Sequence, residues 1–361
     1  MINIAKPSIG DEEKQAVQKV LDSGMIANGA VVTEFERKFA DYIGAKYGIA
    51  TNSGTTALEV AIRSLGLGKG DKILTTPFSF IASTNAIVYT GATPVFADID
   101  SNTFNIDPDC IEDKLNEHPD IKALLIVHLF GQPCHMDRIM DIVKKHNLLL
   151  IEDCAQAHGA LWKDQKVGSF GDASAFSFYP TKNMTTSEGG MVITNSPEVE
   201  KKARLLINHG MEIRYYHDVV GYNHRMTNIS AAIGICQLSK LDNFNLARNK
   251  NAQYYNENIK NEYVLGPLKH ESVYHVYHQY TLRIKNNRRA DLIKHLEKNE
   301  VGFGIFYPIS IPEQKCYEDM GFDSKWKFTD QVKNQVLSIP VHPLLTDTEV
   351  KKVVEVINDF R

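Results

Sequence analysis

The 361 residues are 43% hydrophobic and 23% charged, carry a formal net charge of −4, and hold 23 Gly and 13 Pro. That composition excludes collagen-like, low-complexity and disordered classes, and the dispersed, slightly acidic charge argues against a nucleic-acid-binding surface. The length exceeds what one simple core fills, so two tightly joined domains are expected.

In chain order, residues 11–21 set Ala16, Val17, Val20 and Leu21 on one helical face, with Gly24 as a stop. Residues 32–43 repeat the pattern and end at Gly44, and a third helix carries Ala57, Leu58, Ala61, Ile62 and Leu65 before Gly66. Strands are predicted at 72–75, 94–97, 123–127, 148–151, 173–178 and 191–194, with helical patterns at 81–89, 110–115 and 136–145 between most of them. Several of these strands are apolar throughout, as in a parallel sheet covered on both faces. Past Asn195 the texture changes: helices at 198–207, 228–260, 290–296 and 348–360, an alternating strand at 276–284 and a strand at 304–307. The expected architecture is α/β: a large domain over 1–235 with a mostly parallel sheet between helices, and a smaller C-terminal α+β domain over 236–361.

The cysteines, Cys110, Cys134, Cys154, Cys236 and Cys316, include no CxxC pair, so neither a disulfide scaffold nor a zinc knuckle is expected. Neither Cys134-His135 nor His158 has partners at metal-ligand spacing, and no metal is assigned. The start shows no signal-peptide run and no apolar stretch approaches a bilayer span, which reads as a cytoplasmic protein with no membrane partner.

Three segments carry chemistry. Asn52-Ser53-Gly54-Thr55 is a small polar turn opening a helix: an ordinary N-cap, or a cradle for phosphate at the positive end of the helix dipole. Leu148-Leu149-Leu150-Ile151-Glu152-Asp153 delivers carboxylates at the carboxyl end of an apolar strand, where ligands bind in open parallel sheets; a salt bridge or helix cap is the plainer alternative. Ser177-Phe178-Tyr179-Pro180-Thr181-Lys182 runs from a strand through a proline turn to a lysine among neutral residues; burial there would free its amine as a nucleophile, while a snorkelling surface lysine is the plainer alternative. In this order, a phosphate cradle, an acid for a ring nitrogen and a lysine for an aldehyde suit pyridoxal phosphate.

With these segments in hand, the chain resembles the DegT/DnrJ/StrS-type sugar aminotransferases, a branch of the fold type I pyridoxal phosphate enzymes. The likeness runs through Pro77-Phe78-Ser79-Phe80, His128-Leu129-Phe130-Gly131, Glu152 to Gly159, Ser177 to Asn183, Glu188-Gly189-Gly190 and Gly221 to Met226. It implies a Schiff base on Lys182, which then shuttles protons, and a pairing of Asp153 with the pyridine nitrogen. It further implies Gln156 near the ring oxygen, Phe80 stacked on the ring as a buried aromatic, and Gly54, Thr55 and Ser177 on the phosphate. Asn223 would reach the phosphate of a neighbouring subunit, making a homodimer. Tyr179, Glu188, Arg225 and Tyr307 are the implied substrate contacts.

The implied reaction moves an amino group from an amino acid, glutamate by resemblance, to a nucleotide-linked keto-sugar for amino-sugar and polysaccharide synthesis. Tyr179 stands where many members have His, so the choice between a 3-keto and a 4-keto sugar stays open; no His follows Tyr307-Pro308, where many members place a substrate contact. The cations and aromatics between Lys201 and Arg225 suit a nucleotide diphosphate, with Arg225 favoured and Lys201, Lys202 and Arg204 read as a solvated helix face. Two rivals are a pyridoxal phosphate-dependent dehydratase or lyase, against which the presence of Lys182 speaks, and a non-catalytic regulatory relative.

Overall fold

Glycines and capping hydroxyls punctuate the first half of the chain. The computed structural model, which describes residues 1–361, opens with helices α1 (Asp11–Ser23) and α2 (Ala30–Ile43). They stop at Gly24 and Gly44, both left-handed, where a side chain would be strained. Strand β1 (Tyr47–Thr51) leads through Ser53 into α3 (Gly54–Ser64), and Ser53 Oγ accepts the Thr56 N–H at 3.1 Å. There follow β2 (Lys72–Thr75), α4 (Ala82–Thr90), β3 (Thr93–Phe96), α5 (Pro108–Glu117), β4 (Ile121–Val127) and α6 (Met136–His146). Strand β5 (Leu149–Asp153), the two-residue β6 (Leu161–Trp162) and β7 (Gln165–Lys166), then β8 (Ala173–Ser177) and β9 (Gly190–Thr194) complete this part.

Seven of these strands form one sheet in the order β1-β9-β8-β5-β4-β2-β3, parallel except for β9, which runs antiparallel to β1 and β8. Its two faces bury separate cores. Ala175 and Ile151 point into one with Leu58 and Ile62 of α3, whereas Phe176 points into the other against Phe39 of α2, its ring 5.0 Å away and edge-on. Both faces being covered, the strands need no polar alternation.

Helix α7 (Pro197–Ile207) leads to α8 (Asn228–Asn258), 31 residues long and capped by Thr227. The division expected at residue 235 falls inside α8: Ala231 and Leu241 belong to the core of the first part, Ala252 and Tyr255 to a second. The rest comprises β10 (Val264–Leu265), β11 (Val273–Tyr274), β12 (Tyr280–Ile284), α9 (Arg289–Lys298), α10 (Thr329–Val332), β13 (Val336–Ile339) and α11 (Asp347–Asn358). Strands β10, β12 and β13 form an antiparallel sheet, while β11 pairs back onto β6. Ile2 packs into this second core and bridges to Val301. No helix is long and apolar enough to cross a membrane.

Two expected strands are shorter than the pattern suggests. Of 276–284 only Tyr280–Ile284 is strand. Before it, Val276 N–H and Gln279 N–H donate to the carbonyls of Gly131 and Phe130 (3.0 and 3.2 Å), so tertiary hydrogen bonds replace the ladder and Tyr277 takes a positive φ. At 304–307 only Gly304 pairs, with Ser338, and the chain then turns Tyr307 toward the first domain. Strands β1 and β13, and the two-residue β6, β7, β10 and β11, carry no strand pattern in the sequence.

Candidate active site

The carboxyl ends of β5 and β8 and the start of α3 meet at one edge of the sheet. Asp153, last in β5, is registered with Ala175, two residues before Ser177 at the end of β8. Ser177 lies against the first turn of α3: a Cβ on Gly54 would stand 2.5 Å from Ser177 Cβ. Only glycine permits that approach. The first turn of α3 has N–H groups with no helical acceptor, and Ser177 Oγ lies 2.9 Å from where a Gly54 Cβ would stand. The cap and the cradle thus coexist: Ser53 satisfies Thr56 while Gly54 and Thr55 begin the turn.

Asp153 is buried, with Ser83 Oγ donating to Oδ2 at 2.8 Å and Ala155 N–H donating to Oδ1 at 3.0 Å. Burial pushes its carboxyl above the usual range, against the pull of Ser83, Ala155, Lys182 and His128. A carboxylate so placed wants a cation. Lys182, whose N–H donates to the Tyr179 carbonyl at 2.9 Å, makes no ion pair; desolvation brings its ammonium down to about 8, while Asp153 holds it up. Each group senses the other, so the two share one site.

Asn183 anchors the lysine loop. Its Nδ2 donates to Asn245 Oδ1 (2.8 Å) and to the Val276 carbonyl (3.0 Å), and its Oδ1 lies 3.2 Å from His278 Nδ1. Beneath Asp153, Glu152 points to the other face and accepts from Gly168, Phe170 and Gly171 N–H at 2.8 to 2.9 Å. Cys134 N–H donates to His128 Nδ1, which leaves the proton on Nε2 to bond Glu152 at 3.0 Å. His128, Glu152 and Cys154 cluster at metal-ligand distance, yet the histidine and carboxylate atoms are spent on these bonds. Ser83, Asn183, His278 and the Glu152–His128 pair received no role from the sequence, because each acts through a partner remote in the chain.

Gln156 and Tyr307 meet at 3.2 Å. Phe80 tilts beside Tyr307 at 6.2 Å but is 55% exposed, which corrects the expectation of a buried ring. Tyr179 and Glu188 are exposed nearby in sequence to Lys182. The segment carrying Asn223 and Arg225 runs beside β1 and α3, since Asn52 N–H donates to the His224 carbonyl at 2.8 Å and Thr51 bridges Arg225. Asn223 is exposed there, and Arg225 donates to Asn208 Oδ1 at 2.7 Å. Arg204 is not simply solvated: it bonds the buried Glu36 at 3.2 Å and the Gly48 carbonyl at 3.3 Å. Lys201 pairs with Glu212 at 3.0 Å.

An acid at a strand end, a desolvated lysine and a glycine-opened helix on a seven-stranded, mostly parallel sheet define a fold type I aminotransferase architecture. The chain belongs to the DegT/DnrJ/EryC1/StrS aminotransferase family, whose pattern it matches over residues 7–358. It is 41% identical over 350 residues to dTDP-3-amino-3,6-dideoxy-alpha-D-galactopyranose transaminase of Aneurinibacillus thermoaerophilus, covering 97% of this chain and 95% of that protein. It is 38% identical to GDP-perosamine synthase of Caulobacter vibrioides, over 98% and 96% of the two chains. The solved structure of S. venezuelae DesV in complex with a ketimine intermediate superposes with a TM-score of 0.92 at 32% identity, over 97% of this chain and 94% of that one.

Proposed function

We propose that the protein is a pyridoxal phosphate-dependent aminotransferase that carries an amino group from an amino acid, glutamate, to a nucleotide-linked keto-sugar. The observation that carries this reading is the meeting of Lys182, Asp153 and the Gly54–Ser177 contact in one site. The relatives named above aminate nucleotide-bound sugars, which supports the substrate class.

The residues fit the cofactor. The buried Asp153 carboxylate, pushed toward protonation by burial, is where a protonated ring nitrogen would sit. Gly54, Thr55 and Ser177 would hold the phosphate, and Phe80 and Gln156 would bound the ring. When bound, the cofactor supplies an electron sink for the substrate carbon's proton loss. Lys182 would hold the aldehyde, and its amine would take and return the substrate's proton. Asp153 would keep the ring nitrogen charged, and Ser83 and Ala155 keep Asp153 aimed. Tyr179, Glu188, Arg225 and Tyr307 would receive the sugar nucleotide. Asn223, exposed beside α3, would serve a second copy of the chain in a homodimer. The large part, 1–235, would carry the cofactor and 236–361 would close over it, in the cytoplasm, supplying amino sugars for polysaccharide assembly.

Adding glutamate to cofactor-loaded protein should shift its visible absorbance, and 2-oxoglutarate should accumulate catalytically only when a nucleotide keto-sugar is also present. A protein that takes up cofactor without either response contradicts the reading.

The amine of Lys182 sets a pH dependence. Because burial disfavours its charged form, half the amines are neutral at about pH 8 rather than near 10.5. Capture of pyridoxal phosphate by the apoprotein should therefore rise about tenfold per pH unit below 8 and level off above it. Stopped-flow absorbance measures this; a rate still climbing at pH 10 would place the lysine in water.

A further inference from the structure

Residues 275–278 precede β12 without joining a ladder, and side chains take up their carbonyls instead. The His275 carbonyl accepts Asn249 Nδ2 at 3.0 Å, and the Val276 carbonyl accepts Asn183 Nδ2 at 3.0 Å. The Tyr277 and His278 carbonyls accept Arg248 Nη1 at 3.1 and 3.3 Å. Asn245, Arg248 and Asn249 stand at i, i+3 and i+4 of α8, so one face of that helix meets this segment and the lysine loop together.

The donors and acceptors in this network have one consistent assignment. The Asn183 amide nitrogen is the atom that meets the Val276 carbonyl, which only accepts, and its second proton goes to Asn245 Oδ1 at 2.8 Å. Asn245 is oriented independently, because its Nδ2 donates to the His158 carbonyl at 2.9 Å. Asn183 Oδ1 is left as an acceptor, so His278 Nδ1, 3.2 Å away, carries the proton that fills it. Burial, with the charges of Lys182 and Arg248 near, keeps His278 neutral, and Nδ1 therefore holds its only ring proton. Both His278 and Asn183 are buried, so neither can exchange this bond for water.

We propose that His278 is a positioning residue for Lys182: by donating from Nδ1 to Asn183 it fixes the turn that carries the lysine, while α8 holds both partners in place. The inference rests on the function proposed above, since it is the reactive amine whose placement is fixed. Asn183 follows Lys182 directly, and a loosened Asn183 would let water reach the amine. The titratable groups close enough to sense that amine are Asp153, His158 and His278 itself.

The test compares wild type with His278→Phe, which keeps a ring but has no proton to give, and with His278→Asn, whose amide nitrogen stands where Nδ1 stood. Each is read by thermal melting and by the pH profile of pyridoxal phosphate capture. In His278→Phe the half-point should climb from about 8 by about one unit, slowing capture at pH 7 about tenfold, and His278→Asn should restore it. A role in stability alone would lower the melting temperature and leave the half-point of the folded protein where it was. Asn183→Ala should reproduce the shift, and adding His278→Phe to it should change nothing further, because the route to the lysine is already cut. An unshifted half-point in His278→Phe, no recovery in His278→Asn, or shifts that add in the double variant would each overturn the proposal. Should His278→Phe not fold, His278→Gln replaces it: its amide nitrogen reaches the Nε2 position and leaves that of Nδ1 unfilled, so the same outcomes apply. Wild-type protein that takes up no cofactor overturns the proposed function and this inference together, whereas wild type that loads beside unshifted variants overturns this inference alone.

Discussion

Lys182→Ala should lose transamination by about 10⁴-fold or more, because in the proposed reaction one amine would both hold the aldehyde and move the proton. The fold survives the change. Lys182 makes no side-chain hydrogen bond or ion pair, and its backbone bond to the Tyr179 carbonyl does not depend on the side chain. Removing an ammonium that burial already disfavours leaves the apoprotein at least as stable. Lys182→Arg is equally inactive, since a guanidinium stays protonated. Rates of the glutamate half-reaction beside thermal melts check both statements. Activity in Lys182→Ala within tenfold of wild type would remove the lysine from the chemistry.

Asp153→Asn separates activity from stability. It should lower turnover by about 10²-fold or more, because in the proposed reaction a neutral amide would no longer hold a charge on the ring nitrogen. It also raises the melting temperature of the apoprotein at neutral pH. Burial lifts the Asp153 pKa in the folded state, so folding is disfavoured once the group must ionise. That penalty is absent below the unfolded pKa of about 3.9 and grows as pH rises through the folded value, so the melting gap opens with rising pH and closes toward pH 4. Ser83 accommodates the amide, because its hydroxyl can accept as well as donate. Loss of both activity and melting temperature in Asp153→Asn would make Asp153 a structural anchor.

The sequence shows most clearly what is local. Apolar runs such as Leu124-Leu125-Ile126-Val127 are legible as strands because both faces of the sheet are covered, and helix ends are legible from Gly24, Gly44 and Ser53. Asp153 and Lys182 stand out because each breaks an apolar or neutral stretch at a strand end. What escapes is set by distant partners. Ser83 meets Asp153 across 70 positions, and Asn183 meets His278 across 95. A small hydroxyl or amide carries no mark of such a contact. Strand β1 escapes because Tyr47–Thr51 is short and holds a glycine, Gly48, whose missing side chain makes room for the Glu36 carbonyl. Phe80 misleads for a related reason: its aromatic side chain carries no mark of how much of the ring its neighbours leave uncovered.

Borohydride reduction of the pyridoxal phosphate-loaded protein, followed by peptide mapping with mass spectrometry, tests the central claim most directly. The account predicts a single pyridoxyl group, on the peptide that contains Lys182, and its loss in Lys182→Ala. A pyridoxyl group on another lysine, or none on a protein that has bound the cofactor, would contradict it.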